Sequence, residues 1–155
     1  MMDAPRYLLD TNIFNMIEDG RLDPSILDGA TLYATHVQID EFKQCSRSER
    51  TAALLSRFHD LGPEKIETAG LVWDVSRWDE ACWGSEELLQ KVFDRITELD
   101  SHARKRARDP VKNCWRDALL ASTAIYRGIV LLTADANLAT AAEQFGATVR
   151  LIQSR

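Results

Sequence analysis

The sequence has no apolar run long enough to cross a bilayer, which takes about 20 residues; its longest, GIVLLTA, spans residues 128–134. Its first ten residues, MMDAPRYLLD, contain no cationic segment followed by an apolar one. No secretory leader is read there, and a cytoplasmic location is expected. Cysteine is scarce: Cys45, Cys82 and Cys114 form an odd, widely spaced set. That set argues against a disulfide frame or a cysteine zinc site and suits reduced thiols. There is no surplus of positive charge either, since the net charge is −5. Any contact with nucleic acid has to come from a local patch and not from the charge total. No internal repeat, low-complexity tract or linker interrupts the chain.

What is present is an ordinary globular balance, 45% hydrophobic and 28% charged over 155 residues. That length fits a single domain, residues 1–155, with a core of its own. Short apolar runs at Arg6–Leu9, Thr31–Ala34, Gly128–Leu132 and Thr148–Ile152 read as strands. They are β-branched or leucine-rich, as strands buried on both faces of a parallel sheet are. Helical patterns are read at Asn12–Glu18, Val37–Cys45, Glu49–Leu61, Glu86–Arg106, Asn113–Arg127 and Asn137–Phe145. Alternating strands and helices predict an α/β sandwich. The segment Ile66–Trp83 resists assignment; its Trp73, Trp78 and Trp83 are read as core or dimer-interface anchors before base-stacking groups.

Four acidic residues stand where such a fold can gather them: Asp10, Glu41, Asp117 and Asp135. Asp10 and Asp135 each follow an apolar run, and ligands of open parallel sheets bind beyond the carboxyl ends of strands. The alternative for both is a helix N-cap. On the helix from Val37, Asp40 falls on a mainly polar face with His36, Val37, Lys43 and Gln44 and reads as a solvated acid. Glu41 lines up with Val37 and Cys45 at the border of the buried side. Asp117 shares a face with Cys114, Leu120, Ala121 and Ala124. A carboxylate on so apolar a face is costly unless paired, by more than a helix dipole returns. Gathered carboxylates repel and call for a counter-charge, and an all-oxygen set suits Mg²⁺ or Mn²⁺. Thr11, Asn12 and Thr133 are placed to support the ligands by hydrogen bonds. Just ahead of Asp117 lies a basic run with Arg104, Lys105, Arg106, Arg108, Lys112 and Arg116. It reads either as a solvated helix end or as a phosphate-contacting, RNA-binding patch.

The segments LLDTNIF, DEF, RDALLASTA and LLTADANL, in this order, resemble the motifs of the PIN-domain ribonucleases, among them the VapC-like toxins of toxin–antitoxin pairs. The resemblance spans essentially the whole chain. It implies a three-layer sandwich with a central, mainly parallel sheet flanked by helices. It implies an acidic pocket holding Mg²⁺ or Mn²⁺, with Asp10, Glu41, Asp117 and Asp135 as its acids. It further implies metal-dependent hydrolysis of RNA phosphodiester bonds, an antitoxin protein as partner, and a homodimer. Two other readings stand beside it. One is a non-catalytic RNA- or protein-binding scaffold. The other is a haloacid-dehalogenase-type phosphatase, which needs a second acid where this chain has Asn12.

Overall fold

The computed structural model describes residues 4–44, 47–69, 81–82, 86–100 and 110–153. Five strands form one sheet: β1 (Arg6–Leu9), β2 (Thr31–Ala34), β3 (Glu64–Lys65), β6 (Val130–Thr133) and β7 (Val149–Leu151). Their order is β3-β2-β1-β6-β7 and every pairing is parallel. β4 (Thr68–Ala69) and β5 (Ala81–Cys82) make a separate parallel pair. The helices are α1 (Thr11–Glu18), α2 (His36–Lys43), α3 (Ser48–Leu61), α4 (Glu86–Leu99), α5 (Pro110–Arg127) and α6 (Ala136–Gln144).

Alternation along the strands divides the core in two, because successive side chains leave a strand on opposite faces. Leu8 and Leu131 pack with α4, α5 and α6, through Val92, Ile96, Leu119, Leu120 and Leu138. Tyr7, Leu9 and Leu132 pack on the other side with Ile13, Phe14, Phe42, Leu54 and Phe58. Phe14 of α1 lies 5.4 Å from Phe42 of α2 and 5.5 Å from Phe58 of α3, ring centre to ring centre. The molecule is thus a three-layer α/β sandwich.

Several element boundaries differ from the sequence reading for local reasons. The strand expected at Gly128–Leu132 runs instead from Val130 to Thr133. Gly128, at φ 65°, closes α5 with its N–H on Ile125 O and the next N–H, of Ile129, on Ala124 O. That double bond is a Schellman stop, and it uses up the first residues of the apolar run. Helix α5 begins at Pro110, ahead of the expected Asn113; proline fits a first helical position because its missing N–H would have no partner there. β3 was not anticipated, being two exposed charged residues at the sheet edge. The three tryptophans of the 66–83 segment, and residues 101–106 of the helix expected to reach Arg106, lie outside the described residues.

Candidate active site

β1 and β6 are neighbours, with Leu8 opposite Leu131 and Leu9 opposite Leu132. The residues that follow them, Asp10 and Asp135, therefore emerge side by side at the carboxyl rim of the sheet. The two loops are laced together. The Asp10 N–H donates to Leu132 O at 2.9 Å. The Thr133 hydroxyl donates to Asp10 Oδ2 at 2.6 Å and accepts from the Asp135 N–H at 3.0 Å. Asn12 Oδ1 accepts from the Ala134 N–H at 3.3 Å. Both acids also cap helices: Asp10 Oδ1 accepts from Thr11 N–H at 2.7 Å, and Asp135 Oδ1 from Asn137 and Leu138 at 2.9 and 3.2 Å. Capping accounts for Asp135 and for one oxygen of Asp10.

Helix α2 brings in Glu41. Its first turn is a capping box, T-x-x-Q, in which Gln38 Oε1 accepts from Thr35 N–H at 2.8 Å and the Thr35 hydroxyl accepts from Val37 N–H at 3.1 Å. Gln38 Nε2 then donates to Leu9 O at 2.6 Å, tying the start of α2 to the last residue of β1. Phe42 is anchored in the core on the next position, so Glu41 faces the cluster. Helix α5 brings in Asp117, whose face-sharing neighbours Cys114, Leu120, Ala121 and Ala124 are all buried. On the face of α2 read as solvated, Lys43 and Gln44 are exposed and Asp40 is partly so, but His36 at the helix start is buried, with its Nδ1 3.1 Å from Asp40 Oδ2.

Electrostatics tie the four acids together. Burial, offset by the Thr133 hydrogen bond and reinforced by Asp135, raises Asp10 from 3.8 to about 6. Burial and the charge of Asp10 raise Glu41 from 4.5 to about 7, against the pull of Thr11 and Arg116. Asp117 is pushed well up by burial first, and then by Asp10, Glu41, Asp135 and Asp100. Glu41 and Asp117 keep a partial opening to solvent, yet enough protein surrounds their carboxyl groups for burial to lead. The Thr11 side chain is near enough to Glu41 to pull it down, yet Thr11 Oγ1 is a buried oxygen with no hydrogen-bond partner within 3.5 Å. Among the described residues no three acid, histidine or cysteine side chains stand close enough to grip one ion as placed. The donor chemistry nevertheless fits a hard divalent cation: the donors are all oxygens, carry excess negative charge, and have a buried hydroxyl unspent beside them.

Arg116 departs from the expected phosphate patch. It is 2% exposed, donates to Gln44 Oε1 at 2.8 Å and Asn113 Oδ1 at 3.4 Å, and its charge acts on Glu41. A guanidinium so enclosed balances charge inside the site instead of meeting a solvent-borne phosphate. Lys112 is half-buried on the first turn of α5. Arg104, Lys105, Arg106 and Arg108 lie outside the described residues. Sequence reading missed Gln38, although T-x-x-Q is a legible signature. It also missed Asp100, for which no sequence signal exists.

No family model matches the chain, and no curated protein matches it. Among solved structures it is similar to a domain of a functionally unknown protein from Methanocaldococcus jannaschii DSM 2661, at 14% identity and TM-score 0.50, over 98% of this chain and 94% of that one. That likeness is one of fold. It is also similar to VapBC-5 of Mycobacterium tuberculosis, a member of the VapBC family of toxin-antitoxin systems, at 18% identity and TM-score 0.44, over 96% and 98% of the two chains. A third is FitAcB from Neisseria gonorrhoeae, at 17% identity and TM-score 0.44, over 92% and 95%.

Proposed function

We propose that this protein is a PIN-type endoribonuclease that depends on Mg²⁺ or Mn²⁺, and that it is the toxin of a toxin–antitoxin pair. One observation carries the nuclease reading: Asp10, Glu41 and Asp117, from three separate elements, are held in mutual repulsion at the carboxyl rim of the sheet. Ionised together, such carboxylates are costly unless a cation relieves them. Asp10, Glu41, Asp117 and Asp135 are the residues that would hold the ion. When bound, the cation supplies Lewis-acid activation of water and neutralises charge on the phosphate. The chain's own contribution is orientation. Thr133 fixes one oxygen of Asp10, Gln38 sets α2 and hence Glu41, and Arg116 offsets part of the charge on Glu41.

The reading of the acids as structural caps in a scaffold has specific support at Asp135 and Asp10. It leaves Glu41 and Asp117 without an explanation. The phosphatase reading loses ground at Asn12, whose Oδ1 serves a backbone N–H. The antitoxin partner, the homodimer and the RNA substrate rest chiefly on the motif resemblance, and the cytoplasmic location on the cysteine usage and the absence of a leader-like pattern in the first ten residues. No described helix is long and apolar enough to cross a membrane.

The test is cleavage of several end-labelled RNAs with Mn²⁺, with Mg²⁺ and with EDTA. The parent protein cuts only with a divalent ion. Asp10→Asn and Asp117→Asn each lose at least ~100-fold in rate, about 2.7 kcal/mol of barrier. Unchanged metal-dependent cleavage by both variants ends the assignment of these acids.

A further inference from the structure

Asp100 stands just past the last residue of α4 and belongs to none of the four motifs. Its N–H closes on Ile96 O at 2.9 Å, so the residue sits in the turn that ends the helix. Helix α4 is pinned to α5 by Phe93 and Trp115, stacked with ring centres 3.6 Å apart and planes 10° from parallel. The carboxylate is held from the other side: Asn137 Nδ2 donates to Asp100 Oδ1 at 2.6 Å. The same Asn137 donates its backbone N–H to Asp135 Oδ1 at 2.9 Å. One residue thus grips two carboxylates, one of the four-acid set and one outside it. Asp100 is also among the charges that act on Asp117. An independent sign of a missing ligand lies within the same cluster, where Thr11 is 6% exposed and its Oγ1, beside Glu41, has no hydrogen-bond partner.

We propose that Asp100 is a fifth acid of the cation pocket, kept beside Asp117 and Asp135 by Asn137, and that its charge strengthens capture of the divalent ion. The proposal rests on the metal-dependent reading above. A helix-end acid kept for structure has no reason to lean on an already over-charged cluster. A fifth negative charge there is unfavourable in the cation-free protein and favourable once a cation is bound. The Asp100→Asn side chain keeps an oxygen for the Asn137 amide and removes only the charge. Asn137→Ala keeps the charge and removes the amide that holds it.

The experiment is calorimetric titration of the full chain with MnCl₂ at pH 7.5, together with thermal melts in EDTA. Asp100→Asn weakens Mn²⁺ binding roughly 10-fold, as loss of a group outside the primary ligands does. It also raises the midpoint in EDTA by about 1–3 °C, since a repulsion is gone. Asn137→Ala weakens Mn²⁺ as well and lowers the midpoint. Mn²⁺ affinity of Asp100→Asn within twofold of the parent overturns the proposal, whatever Asn137→Ala does. A parent that binds Mn²⁺ and loses it on Asp117→Asn, but not on Asp100→Asn, sinks the fifth acid and leaves the nuclease reading standing. A parent that neither binds Mn²⁺ nor cuts RNA overturns both.

Discussion

At the residue scale the site is defined by protons held too tightly. Asp10, Glu41 and Asp117 all have raised values in the folded protein. Between its unfolded and folded values each group is protonated when native and ionised when unfolded. Stability contributed by that proton is therefore present below the unfolded value and lost as pH rises through the folded one. For Glu41 the window runs from 4.5 to about 7, and for Asp10 from 3.8 to about 6. In EDTA the melting midpoint is accordingly higher at pH 5 than at pH 7.5. Glu41→Gln, with no proton to lose between 4.5 and about 7, flattens that slope and raises the pH 7.5 midpoint, at roughly 2–4 °C per kcal/mol. A parent midpoint that climbs from pH 5 to pH 7.5 in EDTA contradicts the buried, repelling set. The positions of Asp10 and Asp135 were legible because an acid ending an apolar run has few places to go in a parallel sheet. Arg116 was not, because in a run of basic residues composition is uniform and only the rotation of α5 decides which cation turns inward.

At the element scale the decisive joint is between β1 and α2. Gln38 is fully buried and serves Thr35 N–H, the Thr35 hydroxyl and Leu9 O at 2.8, 2.8 and 2.6 Å. Gln38→Ala leaves those groups buried without partners, at ~1–3 kcal/mol for each backbone group. Denaturant melts should show a loss of about 2–4 kcal/mol, and RNA cleavage should fall further than folded fraction alone explains, because Glu41 loses its register on β1. A loss under ~0.5 kcal/mol means that α2 is held by Phe42 and its aromatic partners instead. The four longer strands and six helices were legible from periodicity, since each apolar run or stripe is long enough to average out local exceptions. β3, β4 and β5 were not, for two-residue strands have no period to detect.

At the scale of the whole molecule, the proposed metal dependence sets cations and protons in competition for one set of oxygens. At pH 7.5, Mn²⁺ at 100 times its dissociation constant stabilises the native state by about 2.7 kcal/mol, or roughly 5–10 °C in midpoint. At pH 5 the same concentration has little effect, because Glu41, raised to about 7, is protonated. An equal shift at both pH values places the bound ion elsewhere. The α/β layering was legible from the alternation of elements, whereas the order β3-β2-β1-β6-β7 was not, since no local pattern reports which strands are neighbours. That order carries a consequence for synthesis. β1 is made first, yet its partner β6 lies more than a hundred positions downstream. A ribosome translating this message exposes Asp10 long before it supplies Asp135. A chain cut before residue 130 keeps Asp10 but lacks β6 beside it and the Thr133 hydroxyl that fixes Asp10 Oδ2, so the rim of the sheet cannot be set until both distant stretches are in place.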